Sequence, residues 1–318
     1  MFGISSIVNL KGFIGFAVCS TVLFCIYISI YSNGSALNYE KDLQTTLRTQ
    51  PRLFNIAVNA NSYLSKCQRA TLRVPGGSQA PICVYKASED IWVSGSIIKH
   101  QSWEWENVVT VWKLMKPVKD MAFLDLGCNI GAFTIPMAKL RRRVIAVDAN
   151  KENLKMLAAS LHLGGLDVNV TLVWNGVSNE TKYVHLVPST SNVGGTKIEQ
   201  SVIQSPTDNE NSIITIQLDD MVTKCGSGPF FMKMDIETHE AMALRGAATF
   251  FKEIDVRYIL MEWMHYKDTK DKKEGSFITD FLSKNSFIPC RISDSKELVM
   301  EDAYSSWPND ILWIKKSI

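Results

Sequence analysis

Two acid-tipped runs carry the clearest chemistry in the sequence: Phe123-Leu124-Asp125-Leu126-Gly127-Cys128-Asn129-Ile130-Gly131 and Arg143-Val144-Ile145-Ala146-Val147-Asp148. Each reads as a buried strand that ends on a carboxylate. Glycines at 127 and 131 let the chain turn tightly and let a ligand approach the backbone. In open α/β sheets, ligands bind at the carboxyl ends of strands. A dinucleotide site asks for G-x-G-x-x-G, with helix amides facing a pyrophosphate. The spacing here is D-x-G-x-N-x-G. A carboxylate at its head repels a diphosphate and attracts the cationic end of S-adenosylmethionine. Asp148, at the second strand tip, is placed to hold the ribose hydroxyls of an adenosine. Singly, either acid also reads as an ordinary helix cap. As a pair at neighbouring strand tips they point to the cofactor.

A second acidic group follows the strand PFFMKM, in Met234-Asp235-Ile236-Glu237-Thr238-His239-Glu240. Glu262 ends YILME, and His265 comes just after it. Methyl transfer to a hydroxyl needs the proton removed as the oxygen attacks. His239 and Glu237 are the first candidates for that work, with Asp235 and Glu262 beside them. Asp235 and Glu237 are expected on opposite sides of an extended chain. His239 also reads as a surface residue on a first helical turn, where Glu237 and Glu240 suit the dipole. Asp235 and Glu262 offer oxygen ligands of the kind magnesium takes, but no spacing requires a metal and none is expected. The seven cysteines include no zinc-binding arrangement. Arg141, Arg142 and Arg143 follow a predicted helix, and KDTKDKKEG reads as a solvated loop.

Short apolar runs alternating with helix-length segments have to position these residues. AFLDL, RVIAV, VNVTLVW, YVHLV, SIITIQL, PFFMKM, VRYILME, FIPCRI and DILWIKK are strand candidates. Helices are expected over 132–140, 152–163 and 238–244. Strands alternating with helices predict a doubly wound parallel sheet covered on both faces. RVIAV and YILM lack polar alternation, as strands buried on both faces do. Apolar residues make up 46% of the chain and the formal net charge is only +2, which argues against a nucleic-acid binder.

Before this body lies an uncharged run over residues 12–31. Roughly 20 apolar residues span a bilayer as a helix, whereas a cleaved signal carries about 7–15. The expected plan is a tail over 1–11, a membrane anchor over 12–31 and a stem over 32–60. An N-terminal extension over 61–118 and the catalytic body over 119–318 complete it. Lys11 is balanced by Lys41 and Arg48, so flanking charge does not orient the span. Sequons at Asn33, Asn169 and Asn179 and the cysteines permit a luminal body, which is the orientation expected. Asn169 is expected in a strand. In an oxidising lumen Cys67 and Cys83 would form a local staple; otherwise all five cysteines beyond the span are reduced and apolar.

FLDLGCNIGAFT, VIAVDAN, TIQLDDMV, KMDIETHEAMALRGA and ILMEW resemble, in order and spacing, the FkbM family of methyltransferases. The likeness covers roughly residues 90–316, and DIWVSGSIIKHQSWEWE resembles the stretch before the cofactor motif in animal members. The resemblance implies a class I Rossmann-like fold with a seven-stranded sheet, S-adenosylmethionine as cofactor and, for most characterised members, O-methyl transfer. It assigns Asp125, Gly127, Asn129 and Gly131 to the cofactor loop, Asp148 to the ribose and Asn175 to the adenine side. Asp235, Glu237, His239 and Glu240 match the family's D-x-E-G-x-E segment, with Thr238 where that segment has glycine. Anchor, stem and luminal body form the layout of Golgi enzymes that modify glycans. The expected acceptor is therefore a sugar hydroxyl on a glycoprotein or glycolipid. Trp103 and Trp105 offer apolar faces to a sugar ring, or simply pack in the core. An acceptor that is a lipid, small molecule or protein, an NAD-dependent oxidoreductase, and a non-catalytic binding protein of the same fold are the competing readings.

Overall fold

The computed structural model describes residues 49–187, 197–199, 212–267 and 272–316. The expected tail and anchor, most of the stem, the sequon at Asn33 and residues 268–271 of the lysine-rich loop lie outside the described residues. Among the described residues, no helix is long and apolar enough to cross a membrane.

The chain begins with α1 (Ile56–Tyr63), β1 (Gln68–Val74), β2 (Ser78–Val84), α2 (Val93–His100) and α3 (Trp105–Met115). The body follows with β3 (Ala122–Leu126), α4 (Thr134–Lys139), β4 (Val144–Asp148), α5 (Lys151–Gly164) and β5 (Val170–Trp174). Next come β6 (Gly176–Val177), β7 (Tyr183–Val187), β8 (Lys197–Glu199), β9 (Ser212–Ile216), α6 (Val222–Cys225) and β10 (Pro229–Met234). The chain closes with α7 (Glu240–Arg245), α8 (Phe250–Glu253), β11 (Asp255–Glu262), α9 (Lys273–Lys284), β12 (Phe287–Arg291) and β13 (Asp310–Lys315).

Seven strands form the main sheet in the order β12-β13-β11-β10-β3-β4-β5. All neighbours run parallel except β13, which is antiparallel to β11 and β12. This is the class I methyltransferase-like α/β fold. The central strands explain its burial: every residue of β3 and β4 is buried, so neither strand has a face for water. YVHLV and SIITI leave the main sheet and join a separate one, in the order β6-β9-β7-β8. The sequon at Asn169 sits in a 3-10 turn ahead of β5 instead of in a strand.

Helix α5 shows how local sequence sets an element. The Asn150 side chain accepts from Glu152 N at its start, and Gly165 closes it at φ 60. Leu154, Leu157, Ala158 and Leu161 form its buried stripe. The extension packs against this same side of the sheet. A disulfide joins Cys67 to Cys83, closing a separation of 16 residues; such a loop contributes about 3 kcal/mol. Cys128, Cys225 and Cys290 are free and buried. Cys83 N donates to Ser160 Oγ at 2.8 Å, tying β2 to α5. Arg142 is spent on structure: it donates to the carbonyls of Met115 at 3.1 Å and Val118 at 2.9 Å, just past the end of α3. The segment before α1 lies along β5, where Phe54 N donates to Leu172 O and Trp174 N to Arg52 O.

Candidate active site

The strand order reverses between β3 and β10, and a cavity of about 580 Å³ opens at the carboxyl ends of the strands there. Asp125, Gly127, Asn129, Asp148, Asn175, Asp235, Glu237 and Glu262 all line it. One wall is contributed by the extension, through Trp92, Val93, Trp103 and Glu104.

The first half of the cavity is built on backbone amides and close backbone approaches. Asp125 is 1% exposed; its Oδ2 accepts from Thr134 Oγ1 at 2.6 Å, and its Oδ1 is buried without a partner. Burial pushes its carboxyl above the ordinary range, opposed by the Lys233 ammonium. Gly127 lies at φ +79, and a Cβ there would stand 1.8 Å from the Asp235 carbonyl oxygen. Only glycine permits that approach of two strand ends. Gly131, at φ +96, packs against Leu157 and Ile135 and is structural to the turn. Asn129 takes the left-handed region at φ 50, and its N–H donates to Asp148 Oδ2 at 2.7 Å. Asp148 Oδ1 accepts from Asn150 N at 2.8 Å. Burial lifts the Asp148 carboxyl to about 6 against those amide bonds. Asn175 lines the cavity, but Oδ1 accepts from Arg52 N and Nδ2 donates to Ile214 O. Its side chain thereby also fixes the wall.

The second half is built from charged side chains that pair with one another. Lys233, at 6% exposure, donates to Asp235 Oδ2 at 2.8 Å. Burial lowers the ammonium's hold on its proton, but Asp235, Asp125 and Glu104 together outweigh it and raise the pKa. His265 Nε2 lies 3.2 Å from Glu262 Oε2 and 3.7 Å from Glu237 Oε2. Those carboxylates raise the imidazole to about 10, so His265 is a cation at neutral pH. Only with His265 deprotonated could Glu237, Glu262 and His265, whose ligand atoms lie within 4.8 Å of one another, hold a cation.

Three expectations change here. Asp235 and Glu237 do not face opposite ways: Glu237 at φ 55 and Thr238 at φ 75 break the extended run, and both acids line the cavity. Thr238 thus holds by strain a conformation that glycine would adopt freely. His239 is not a cavity residue; its Nε2 lies 3.0 Å from Ser178 Oγ, and burial lowers its pKa. Its ring was placed by a helix start that in fact begins at Glu240. Glu240 is buried and braces the loop, accepting from Ile236 N at 2.9 Å and Tyr266 Oη at 2.5 Å. Trp103 lines the cavity, whereas Trp105 stacks under Arg73 at 4.1 Å, away from it.

Lys233, Glu104 and Asp310 were not singled out in the sequence. Lys233 had a signal, a lone charge inside the apolar run PFFMKM, and Glu104 sits in the noted WEWE segment. Asp310 had none.

The Methyltransferase FkbM domain matches residues 125–289, just over half of the chain. The chain belongs to the FkbM methyltransferase family. As an FkbM methyltransferase it uses S-adenosylmethionine, and the cavity's residues fit that cofactor. The unpartnered Asp125 oxygen suits an ammonium, Asp148 suits a diol, and the Gly127 turn admits a ligand against the backbone. The FkbM chain is 35% identical over 63 residues to a ubiquinone biosynthesis O-methyltransferase of Parvibaculum lavamentivorans, covering 19% of this chain and 24% of that protein. It is also 35% identical over 54 residues to the one of Pelagibacter ubique, covering 16% and 22%. It spans about a quarter of the length of these curated relatives. Among solved structures, it resembles magnesium protoporphyrin IX methyltransferase from Synechocystis with bound SAM at 12% identity and TM-score 0.33, covering 67% of this chain and 79% of that one. Precorrin-6y C5,15-methyltransferase from Geobacter metallireducens gives 13% identity and TM-score 0.33, covering 65% and 88%.

Proposed function

We propose that this protein transfers a methyl group from S-adenosylmethionine to a sugar hydroxyl on glycoproteins or glycolipids. The observation that carries the reading is one cavity with two unlike halves: amide-held carboxylates on one side, paired side-chain charges on the other. When bound, the cofactor supplies an electrophilic methyl on a sulfonium. Asp125 receives its ammonium, and Asp148 accepts from its ribose hydroxyls. Asp235, Glu237 and Glu262 orient the acceptor hydroxyl, which must lie about 3 Å from the methyl carbon for in-line attack. Trp103 gives the acceptor ring an apolar wall.

The anchor over residues 12–31 and a luminal body make this a single-pass Golgi protein on this reading. The Cys67–Cys83 disulfide supports an oxidising compartment. A lipid acceptor is the second reading, favoured by Trp92 and Met264, which line the cavity yet are 58% and 46% exposed.

Incubating the full-length chain with radioactive cofactor and a panel of released glycans tests the proposal. Label is expected on glycans and is expected to vanish with Asp125→Ala. Label confined to lipids or protein side chains overturns it.

A further inference from the structure

Most ionisable groups of the cavity are already committed. Asp125 and Asp148 face the cofactor, and Asp235 holds the Lys233 ammonium. Glu237 and Glu262 flank the His265 cation. Two carboxylates remain, Glu104 at the start of α3 and Asp310 at the start of β13, and both line the cavity. One amide joins them: Asn107 Nδ2 donates to Glu104 Oε2 and to Asp310 Oδ2, each at 3.1 Å. With both amide hydrogens spent, each carboxylate keeps its second oxygen for a ligand.

The turn that presents Glu104 is fixed on both sides. Glu104 itself takes φ 44, and Gln101 takes φ 57. Arg73 N donates to Gln101 O at 2.7 Å, and Ser96 Oγ donates to Ser102 O at 2.8 Å. A left-handed glutamate is strained, and the surrounding bonds sustain it.

We propose that Glu104 is the general base of the transfer, taking the proton from an acceptor hydroxyl seated between Trp103 and the Glu104–Asn107–Asp310 bridge. This rests on the hydroxyl acceptor proposed above and adds a catalytic residue outside the family-matched stretch. In the step, the acceptor oxygen bonds to the methyl carbon while the carbon–sulfur bond breaks and its electron pair stays on sulfur. The hydroxyl proton passes to a Glu104 carboxylate oxygen, leaving a neutral thioether, a methyl ether and a glutamic acid. The electrostatics suit the task. Burial lifts the Glu104 carboxyl to about 7, with Asp310 and Asp235 raising it and Lys233 and Asn107 opposing. A base is most effective when its pKa lies near the working pH.

Isotope-edited infrared spectroscopy of the full-length chain, wild type against Glu104→Gln, reads this carboxyl directly. A glutamic acid band that ionises near 7 is expected in the difference; it separates Glu104 from Glu240, which burial also raises to about 7. In Asp310→Asn the midpoint should fall, and the acidic limb of the pH–rate profile should fall with it. On the hydroxyl that the wild type labels, Glu104→Gln should lose about 100-fold or more in kcat while its cofactor affinity stays within about twofold. Glu104→Asp should recover part of the rate. A Glu104 band that ionises in the ordinary glutamate range, or a Glu104→Gln rate within about threefold of wild type, overturns the assignment. Undiminished hydroxyl labelling in Glu104→Gln removes only the base. Labelling of amines or thiols alone, or of nothing, removes the hydroxyl reading and the base together.

Discussion

The two halves of the cavity are built on opposite plans. On the cofactor side, carboxylates accept from backbone amides and a hydroxyl within one strand–helix–strand stretch: Asp148 from Asn150 and Asn129, Asp125 from Thr134. On the acceptor side, partners come from four segments: Glu104 with Asp310, and Glu237 with His265. The first plan needs a glycine where strands nearly touch; the second tolerates left-handed Glu104, Glu237 and Thr238. The first half is defined by backbone geometry, the second by which side chains meet there.

The sharpest way to break this contrast is Gly127→Ala. The new Cβ meets a backbone oxygen at 1.8 Å and the position has φ +79, so nothing soft can yield. Strain and overpacking together should cost about 2–5 kcal/mol, lowering the midpoint of thermal unfolding and abolishing cofactor binding by calorimetry. Unchanged melting would mean that the cofactor side is no more rigid than the other.

The next effect is on pH. With Asp148 near 6, cofactor affinity should be flat above that value and fall up to about tenfold per pH unit below it. Asp148→Asn should flatten the curve. Folding has the opposite sign. A carboxyl whose folded pKa is raised binds its proton first in the folded chain, so the cofactor-free protein gains stability as pH drops from about 6 towards the ordinary range. An affinity break that survives in Asp148→Asn would assign it to another group.

The smallest effect sharpens the acceptor side. Thr238→Gly removes the strain at φ 75 and adds chain entropy to the unfolded state. The balance should be a stabilisation of about 1 kcal/mol by chemical denaturation. A loss of stability would show that the threonine side chain earns its place by contacts.

The same contrast explains what was legible beforehand. Strands ending in Asp125 and Asp148 announced themselves, because an apolar run, an acid and a glycine lie within a few residues of one another. The doubly wound parallel sheet followed from the same alternation, and its seven strands from the family resemblance. His239 misled because sequence fixes neither the residue where a helix starts nor the direction of its side chains. Glu104, Asn107 and Asp310 were hidden because only the pairing of β11 with β13 and the docking of α3 bring them together. Trp105 failed as a ring platform for a similar reason: two residues past Trp103, at the first position of α3, its ring lies under Arg73 and not in the cavity.

The segment that lies along β5 has a consequence of its own. β5 is the last strand of its sheet, and Arg52, Leu53 and Phe54 occupy its outer row of hydrogen-bonding groups. A recombinant fragment trimmed past that point would leave the row bare. Bare strand edges recruit other chains, so insoluble material would then report a lost cover strip and not a failed active site.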